Sequence, residues 1–224
     1  TVSDPDNDKL AQLAARFGIH TLSDNQQAAS IADVVVLSVK PQILEAVAIE
    51  LAGVIRQHQP LVISIAAGVQ ESVLRAWLGE KVALVRSMPN TPAMIQTGAT
   101  GLHAGKGVSN EQKDLAESIL RAVGITCWVR DESLMDAVTA ISGSGPAYFF
   151  LVMEAIEEAA RNMGLDEETA RLLTLQTALG AARMAIESND SPATLRDKVT
   201  SCRGTTEKAL SILEQRSIRA LFNK

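Results

Sequence analysis

The residues able to do chemistry gather in a few short stretches. Residues 142–146 read Ser-Gly-Ser-Gly-Pro, residues 88–92 read Met-Pro-Asn-Thr-Pro, and Gly204-Thr205-Thr206 follows Ser201. A Gly-x-Gly turn ahead of a helix suits a phosphate. A dinucleotide fingerprint, however, also needs a strand before it, a third glycine, and an acidic residue about 20 positions on. Here Leu134 to Ile141 has helical rather than strand character, and Pro146 is placed to open the next helix. The stretch reads as a tight helix–helix turn, not a phosphate loop. Gly204-Thr205-Thr206 is a different matter. The first N–H groups of a helix are unpaired, its dipole favours an anion, and two hydroxyls add donors. A simple helix cap is the plainer reading of the same residues. Asn90, bounded by prolines, serves equally as a turn stabiliser or as an amide aimed at a ligand.

Other chemistries lack their residues. Cys127 and Cys202 stand far apart with neither C-x-x-C nor His-rich spacing, so they frame no disulfide scaffold and no metal site and suit a reduced, cytoplasmic protein. His20 and His58 read as surface residues at helix ends, and His103 lies in a strand-like stretch; none has a catalytic setting. A net charge of −5 without a basic cluster argues against a nucleic-acid partner. No apolar run approaches a membrane span, and no basic-plus-apolar leader is visible.

The elements that must position these residues follow from the apolar pattern. The chain has 224 residues, 46% hydrophobic but only 3% aromatic, so its core is built from Ala, Val, Ile and Leu. Asp33 to Val39, Leu61 to Ile65 and Val82 to Val85 read as strands, the first continuously apolar and so buried on both faces. Helical patterns run between them, over Gln42 to Arg56 and Val69 to Leu78, which implies a Rossmann-type parallel sheet over residues 1–130. After Asp131 the strands stop. Ala147 to Met163 and Glu167 to Glu187, the latter interrupted by Gly180, are long helices, and shorter ones follow from Ser191 and Thr205. Residues 131–224 are therefore expected to be an all-α dimerisation and substrate domain, its weakly polar helices completed by another copy of the chain.

Ligands of such sheets bind beyond the carboxyl ends of the strands. Lys40-Pro41 and Ala66-Ala67-Gly68 stand there, although Lys40 alone reads as a solvated charge and Pro41 as a helix start. The opening TVSDPDND is similar to the end of a second Rossmann strand and the loop after it. The first strand and its glycine-rich turn, about 30 residues with their helix, are expected outside this sequence. At the other end, Phe222-Asn223-Lys224 reads as the onset of a further helix.

Five stretches in order, Val39-Lys40-Pro41, SIAAGV at 64–69, MPNTPA at 88–93, DAVTAISGSGPAY at 136–148 and VTSCRGTTEKAL at 199–210, make the chain resemble the pyrroline-5-carboxylate reductases over essentially its whole length. The resemblance implies reduction of 1-pyrroline-5-carboxylate to L-proline, the last step of proline biosynthesis, by hydride from NADPH or NADH. It implies a Rossmann domain followed by a helical domain that dimerises by interleaving. It places Val39, Lys40, Pro41, Ala67, Gly68 and Asn90 beside the dinucleotide, Asn25 near the adenosine, and Ser3 near the ribose or 2′-phosphate, with Lys198 reaching the cofactor from a partner subunit. It gives Ser201, Gly204, Thr205 and Thr206 to the substrate carboxylate. Glu132, near the substrate, and Thr139, relaying a hydrogen bond through water to the imine nitrogen, become the catalytic residues. The Ser142–Pro146 turn then lets backbone approach nicotinamide and substrate.

Two departures stand out. The glycine-rich first turn is not in the sequence, and the usual Ser-Pro-Gly-Gly-Thr-Thr appears as Ser201-Cys202-Arg203-Gly204-Thr205-Thr206. Arginine thus stands where glycine takes positive φ freely. The loop Ser3 to Asp8 lacks an arginine for a 2′-phosphate, though Ser3 can donate to one. Two other readings compete. The β-hydroxyacid dehydrogenases resemble one another in a catalytic lysine on a second-domain helix, and no lysine occurs here between Lys113 and Lys198. The other is a non-catalytic dimer that senses a dinucleotide.

Overall fold

The computed structural model describes residues 1–223; Lys224 lies outside the described residues. The chain forms two compact units, Thr1–Phe149 and Phe150–Lys224. The sequence-based boundary at residue 130 lies ahead of a helical segment that the structure groups with the first unit.

In the first unit, β1 (Val2–Ser3) and β2 (Thr21–Leu22) pair in parallel around α1 (Asn7–Phe17). Asp6 caps α1 by accepting the N–H groups of Asp8 and Lys9, and Gly18 ends it at φ 62°. The short α2 (Asn25–Ser30), capped in the same way by Asp24, leads to β3 (Val34–Leu37). Next come α3 (Pro41–His58), β4 (Leu61–Ser64), α4 (Glu71–Leu78) and β5 (Ala83–Met88). The strands β3, β4 and β5 are parallel, with Val34 beside Leu61 and Leu61 beside Ala83. A 3₁₀ turn at Thr91–Ile95 then returns the chain as β6 (Gly98–Ala104), and α5 (Asn110–Arg121) carries it to β7 (Gly124–Trp128). The sheet order is β3-β4-β5-β6-β7.

The parallel sheet contains one reversal, since β6 runs antiparallel to β5 and pairs Arg86 with His103 and Met88 with Gly101. A parallel connection needs about a dozen residues and usually a helix. The proline-bounded turn after Met88 is too short for that, so the strand doubles back.

Both faces of the sheet are covered. Leu44, Ala48 and Ile55 of α3 and Leu74 of α4 pack on Val62 and Leu84, while Ala116 and Leu120 of α5 pack on Ile63, Val85 and Leu102. This is why β4 is buried throughout. The expectation for β3 was wrong in one respect. It spans Val34–Leu37 rather than Asp33–Val39, and Val36 is 41% exposed. The cause is its edge: among the described residues β3 pairs with β4 alone and β1 with β2 alone. Between them lies a cavity of about 790 Å³ lined by Ser3, Asn25, Val35, Val36, Ser38 and Val39 among others.

The first unit ends with α6 (Leu134–Val138), a π-helical turn at Thr139–Gly143, and the start of α7 (Gly145–Asn162), with Pro146 in its first turn as expected. The second unit holds the rest of α7, then α8 (Glu167–Glu187), α9 (Pro192–Lys198), α10 (Thr205–Gln215) and α11 (Ile218–Phe222). The interruption expected at Gly180 does not occur, as α8 passes through it; a helical glycine costs only about 1 kcal/mol. The helices bury little against one another. Ala160, Ala170 and Thr174 are enclosed, while Leu172 is 65% and Ile186 84% exposed. Such a surface is characteristic of a face that another chain covers. No described helix is long and apolar enough to cross a membrane.

Candidate active site

In the first unit the expected cofactor residues stand at or beyond the carboxyl ends of β1 to β5, with Asn25 opening α2 after β2. Ser3 Oγ donates to Asn25 Oδ1 at 2.9 Å, and Asn25 Nδ2 donates to Glu50 at 3.3 Å, so the structure joins two residues that the sequence only grouped by resemblance. Asp4 beside them accepts from Lys9 and from the Asp6 N–H, which hold its carboxyl below the usual carboxylate range. Val39 and Lys40 follow β3. Lys40 is the N-cap of α3 and makes no side-chain capping bond, and Pro41 is in the helix's first turn. Ala67 and Gly68 follow β4 and are exposed, with Gly68 at φ 75°. Their small size leaves the strand end open to a bulky ligand.

Asn90 spends its amide on the scaffold. Its Oδ1 accepts the Ala99 N–H at 2.9 Å, and its Nδ2 donates to the Ser142 carbonyl at 3.0 Å. The side chain thereby ties the turn after β5 to the π-helical turn. That turn is closed by Ser144 N–H donating to the Thr139 carbonyl at 2.8 Å, and π turns recur at functional sites. Close approach needs glycine here: a Cβ on Gly143 would lie 2.6 Å from Met88 Cε, and one on Gly101 would run into Val138. Thr139 Oγ1 donates to the Met135 carbonyl at 2.8 Å. Its proton is committed, so its lone pairs are left to accept.

Glu132 sits at the other end of this segment. Its Oε1 accepts from Arg86 Nη1 and from the Glu71 N–H, each at 2.5 Å. Glu71 in turn accepts from Arg75 Nε at 2.6 Å and from the Lys106 N–H at 3.1 Å, and His103 Nε2 lies 3.7 Å from its second oxygen. Burial pushes the Glu71 carboxyl up, but the Arg75 and Lys106 bonds outweigh it and hold it below the usual value. Arg75, Arg86 and His103 are all buried. Sequence reasoning missed this cluster; its one local signal was Arg86 directly after the apolar run Val82 to Val85.

In the second unit Ser201, Gly204, Thr205 and Thr206 form a single turn into α10. Gly204 N–H donates to the Ser201 carbonyl at 3.0 Å, and a side chain at Gly204 would collide with Ser201 Oγ. Arg203 occupies the left-handed region at φ 58°, and its N–H donates to Glu207 Oε2 at 2.6 Å. The N-cap is Gly204 and no side chain caps the helix, so the simple-cap reading of Thr205 and Thr206 fails. Both threonines are exposed, and neither hydroxyl makes a hydrogen bond among the described residues. The turn offers unpaired N–H groups, two hydroxyls and a helix dipole, which is an anion site in kind. Lys198 is exposed and ion-paired with Asp190 at 2.5 Å.

A family model described as pyrroline-5-carboxylate reductase dimerisation matches residues 132–224, and one described as NADP oxidoreductase, coenzyme F420-dependent, matches residues 1–68. The pyrroline-5-carboxylate reductase of Pseudomonas aeruginosa is 51% identical over 99% of this chain and 81% of that protein. The solved structure of a pyrroline-5-carboxylate reductase from Coxiella burnetii superposes with a TM-score of 0.94 at 50% identity, over 99% of this chain and 82% of that one. The Plasmodium falciparum enzyme, solved with NADP bound, gives a TM-score of 0.86 at 30% identity, over 98% and 80%.

Proposed function

The chain belongs to the pyrroline-5-carboxylate reductase family, and from that premise we propose that it reduces 1-pyrroline-5-carboxylate to L-proline with NADPH, accepting NADH as an alternative donor. What carries the reading is the extent of the likeness, 51% identity through 99% of the chain. The residues present fit a dinucleotide. Exposed Ala67 and Gly68, the Ser3–Asn25 pair, and Ser38 and Val39 at the cavity edge give it small, polar and apolar surfaces at the strand ends. When bound, the nicotinamide supplies the hydride.

The chain's own residues do the rest. Thr205, Thr206 and the first N–H groups of α10 bind the substrate carboxylate, with Ser201 and Gly204 shaping the turn. Lys40, Pro41, Val39 and Asn90 border the cofactor, Ser3 takes the ribose or its 2′-phosphate, and Lys198 serves a partner's cofactor. The direction of the Thr139 hydroxyl bears on the proton. Because it donates to Met135, it accepts from the imine N–H or from a water that bridges to the imine nitrogen. The cyclic imine is basic enough to take up a proton near neutral pH, and it is reduced in that protonated, more electrophilic form. Hydride adds to the ring carbon of the C=N bond, the π electrons pass to nitrogen, and the iminium proton stays on the product amine.

The exposed leucines and Ile186 of α8 support a homodimer, and the unpaired cysteines Cys127 and Cys202 support a cytoplasmic setting. Substrate-dependent loss of NADPH absorbance by the full-length protein tests the activity; no oxidation with the imine present refutes it. Mixing Thr206→Ala with Lys40→Ala subunits tests the shared site. Recovered activity in the mixture is expected, and its absence would confine each site to one chain.

A further inference from the structure

We infer that Arg86 is a positioning residue of this reductase, and that Glu132 is the anchor it holds rather than a proton donor; the inference rests on the function proposed above. The segment 132–143 lies against β5 and β6 and is fastened at both ends. At one end Glu132 Oε1 takes two donors, Arg86 Nη1 and the Glu71 N–H, each at 2.5 Å. At the other, Asn90 Nδ2 holds the Ser142 carbonyl at 3.0 Å. Between these ends Val138 presses on Gly101, and Gly143 on Met88, and those two sheet residues are cross-strand partners.

The anchorage is rigid because it is buried and shared. The Arg86 side chain is 8% exposed and stands across the ladder from His103. The Glu71 N–H that meets Glu132 belongs to a residue whose carboxylate is itself held by Arg75 and Lys106. Glu132 precedes Thr139 by seven residues, two helical turns, or about 10 Å along the axis. A carboxylate bound to Arg86 does not also span that distance to the nitrogen that Thr139 serves. What it does reach, through the helix, is the height of Thr139 and Ser142 above the sheet. A displacement of about 1 Å at a reacting centre can cost on the order of 100-fold in rate.

The test separates anchoring from proton transfer in the full-length enzyme. Glu132→Gln keeps an acceptor for both donors, so it should keep wild-type amide protection at residues 134–143 and an unchanged pH profile. Arg86→Met leaves Glu132 unpaired, so the double variant Arg86→Met/Glu132→Met guards against misfolding, since an apolar pair often replaces a buried ion pair without loss of stability. That double variant should bind NADPH as the wild type does, lose at least tenfold in kcat, and show faster amide exchange at residues 134–143 but not at 61–64. Wild-type kcat and wild-type protection in the double variant would overturn the inference. So would a Glu132→Gln enzyme that is inactive yet normally protected, because Glu132 would then be the proton donor. If the wild type itself fails to reduce the imine, the proposed function falls, and the exchange measurement still decides whether the anchor exists.

Discussion

Thr206→Ala isolates what the α10 N-terminus does. In the structure its hydroxyl has no partner among the described residues, and Gly204, not a threonine, is the N-cap. Removing the hydroxyl therefore breaks no bond of the folded chain. Exposed substitutions of this kind stay within about 0.5 kcal/mol, and alanine's helix propensity adds a few tenths in the stabilising direction. A substrate carboxylate changes the account. A hydrogen bond to a charged group contributes about 1.5–3 kcal/mol, and each 1.36 kcal/mol is about tenfold. Loss of that bond should lower kcat/KM for the imine by about 10- to 150-fold while the KM for NADPH stays put. Thr206→Ser keeps the oxygen and should recover most of the loss. The assay is steady-state NADPH oxidation over a range of imine concentrations, with calorimetry on the same samples. An alanine variant with unchanged kcat/KM and a lowered melting temperature would show that the hydroxyl is structural after all.

Three further outcomes are expected. Arg203→Gly should stabilise the protein, because the left-handed backbone at φ 58° costs a non-glycine residue about 1–2 kcal/mol and glycine returns about 0.5–1 kcal/mol of that in the unfolded state. A gain of about 1–4 °C by calorimetry is the readout, and a loss would mean that the arginine side chain compensates. Gly101→Ala should destabilise by about 1–3 kcal/mol in urea titration, since the new Cβ runs into Val138; a neutral result would show that α6 moves freely. Glu71 has a folded pKa below its ordinary 4.5, so its contribution to stability is complete above that pH and is lost as pH falls through the lowered value. Glu71→Gln should therefore flatten the fall in the urea midpoint below pH 4.5, and an unchanged slope would remove Glu71 from the acid response.

Much of the fold was legible because it rests on local pattern. The run Leu61 to Ile65 is continuously apolar, and β4 is the fully buried strand that such a run requires. The start of α8 follows from Asp166, which accepts the Thr169 N–H. What escaped the sequence depends on partners far along the chain. The same continuity in Val34 to Val36 suggested burial, yet a strand's exposure depends on who pairs with its second edge, and β3 has a partner on one side alone among the described residues. The reversal of β6 was written in a turn too short for a crossover. The π-helical turn leaves no periodic signature, being imposed by Gly143 against Met88 and by Asn90 across the interface.

The same distinction runs through the site. Thr205 and Thr206 could be proposed as anion ligands from the residue order because helix N-termini have a local grammar. Arg86 was not, because its meaning comes from Glu132, 46 residues on. A buried arginine in a strand is costly unless paired, and that cost is the one physical sign the residue order itself carries. It says that a partner exists without saying which. Residues that touch ligands tend to lie in turns whose chemistry is local, whereas those that hold the ligand-binding segments in place are defined by pairing across the fold. In this chain Arg86, Glu71 and Asn90 are of the second kind, and the segment they hold is 132–143.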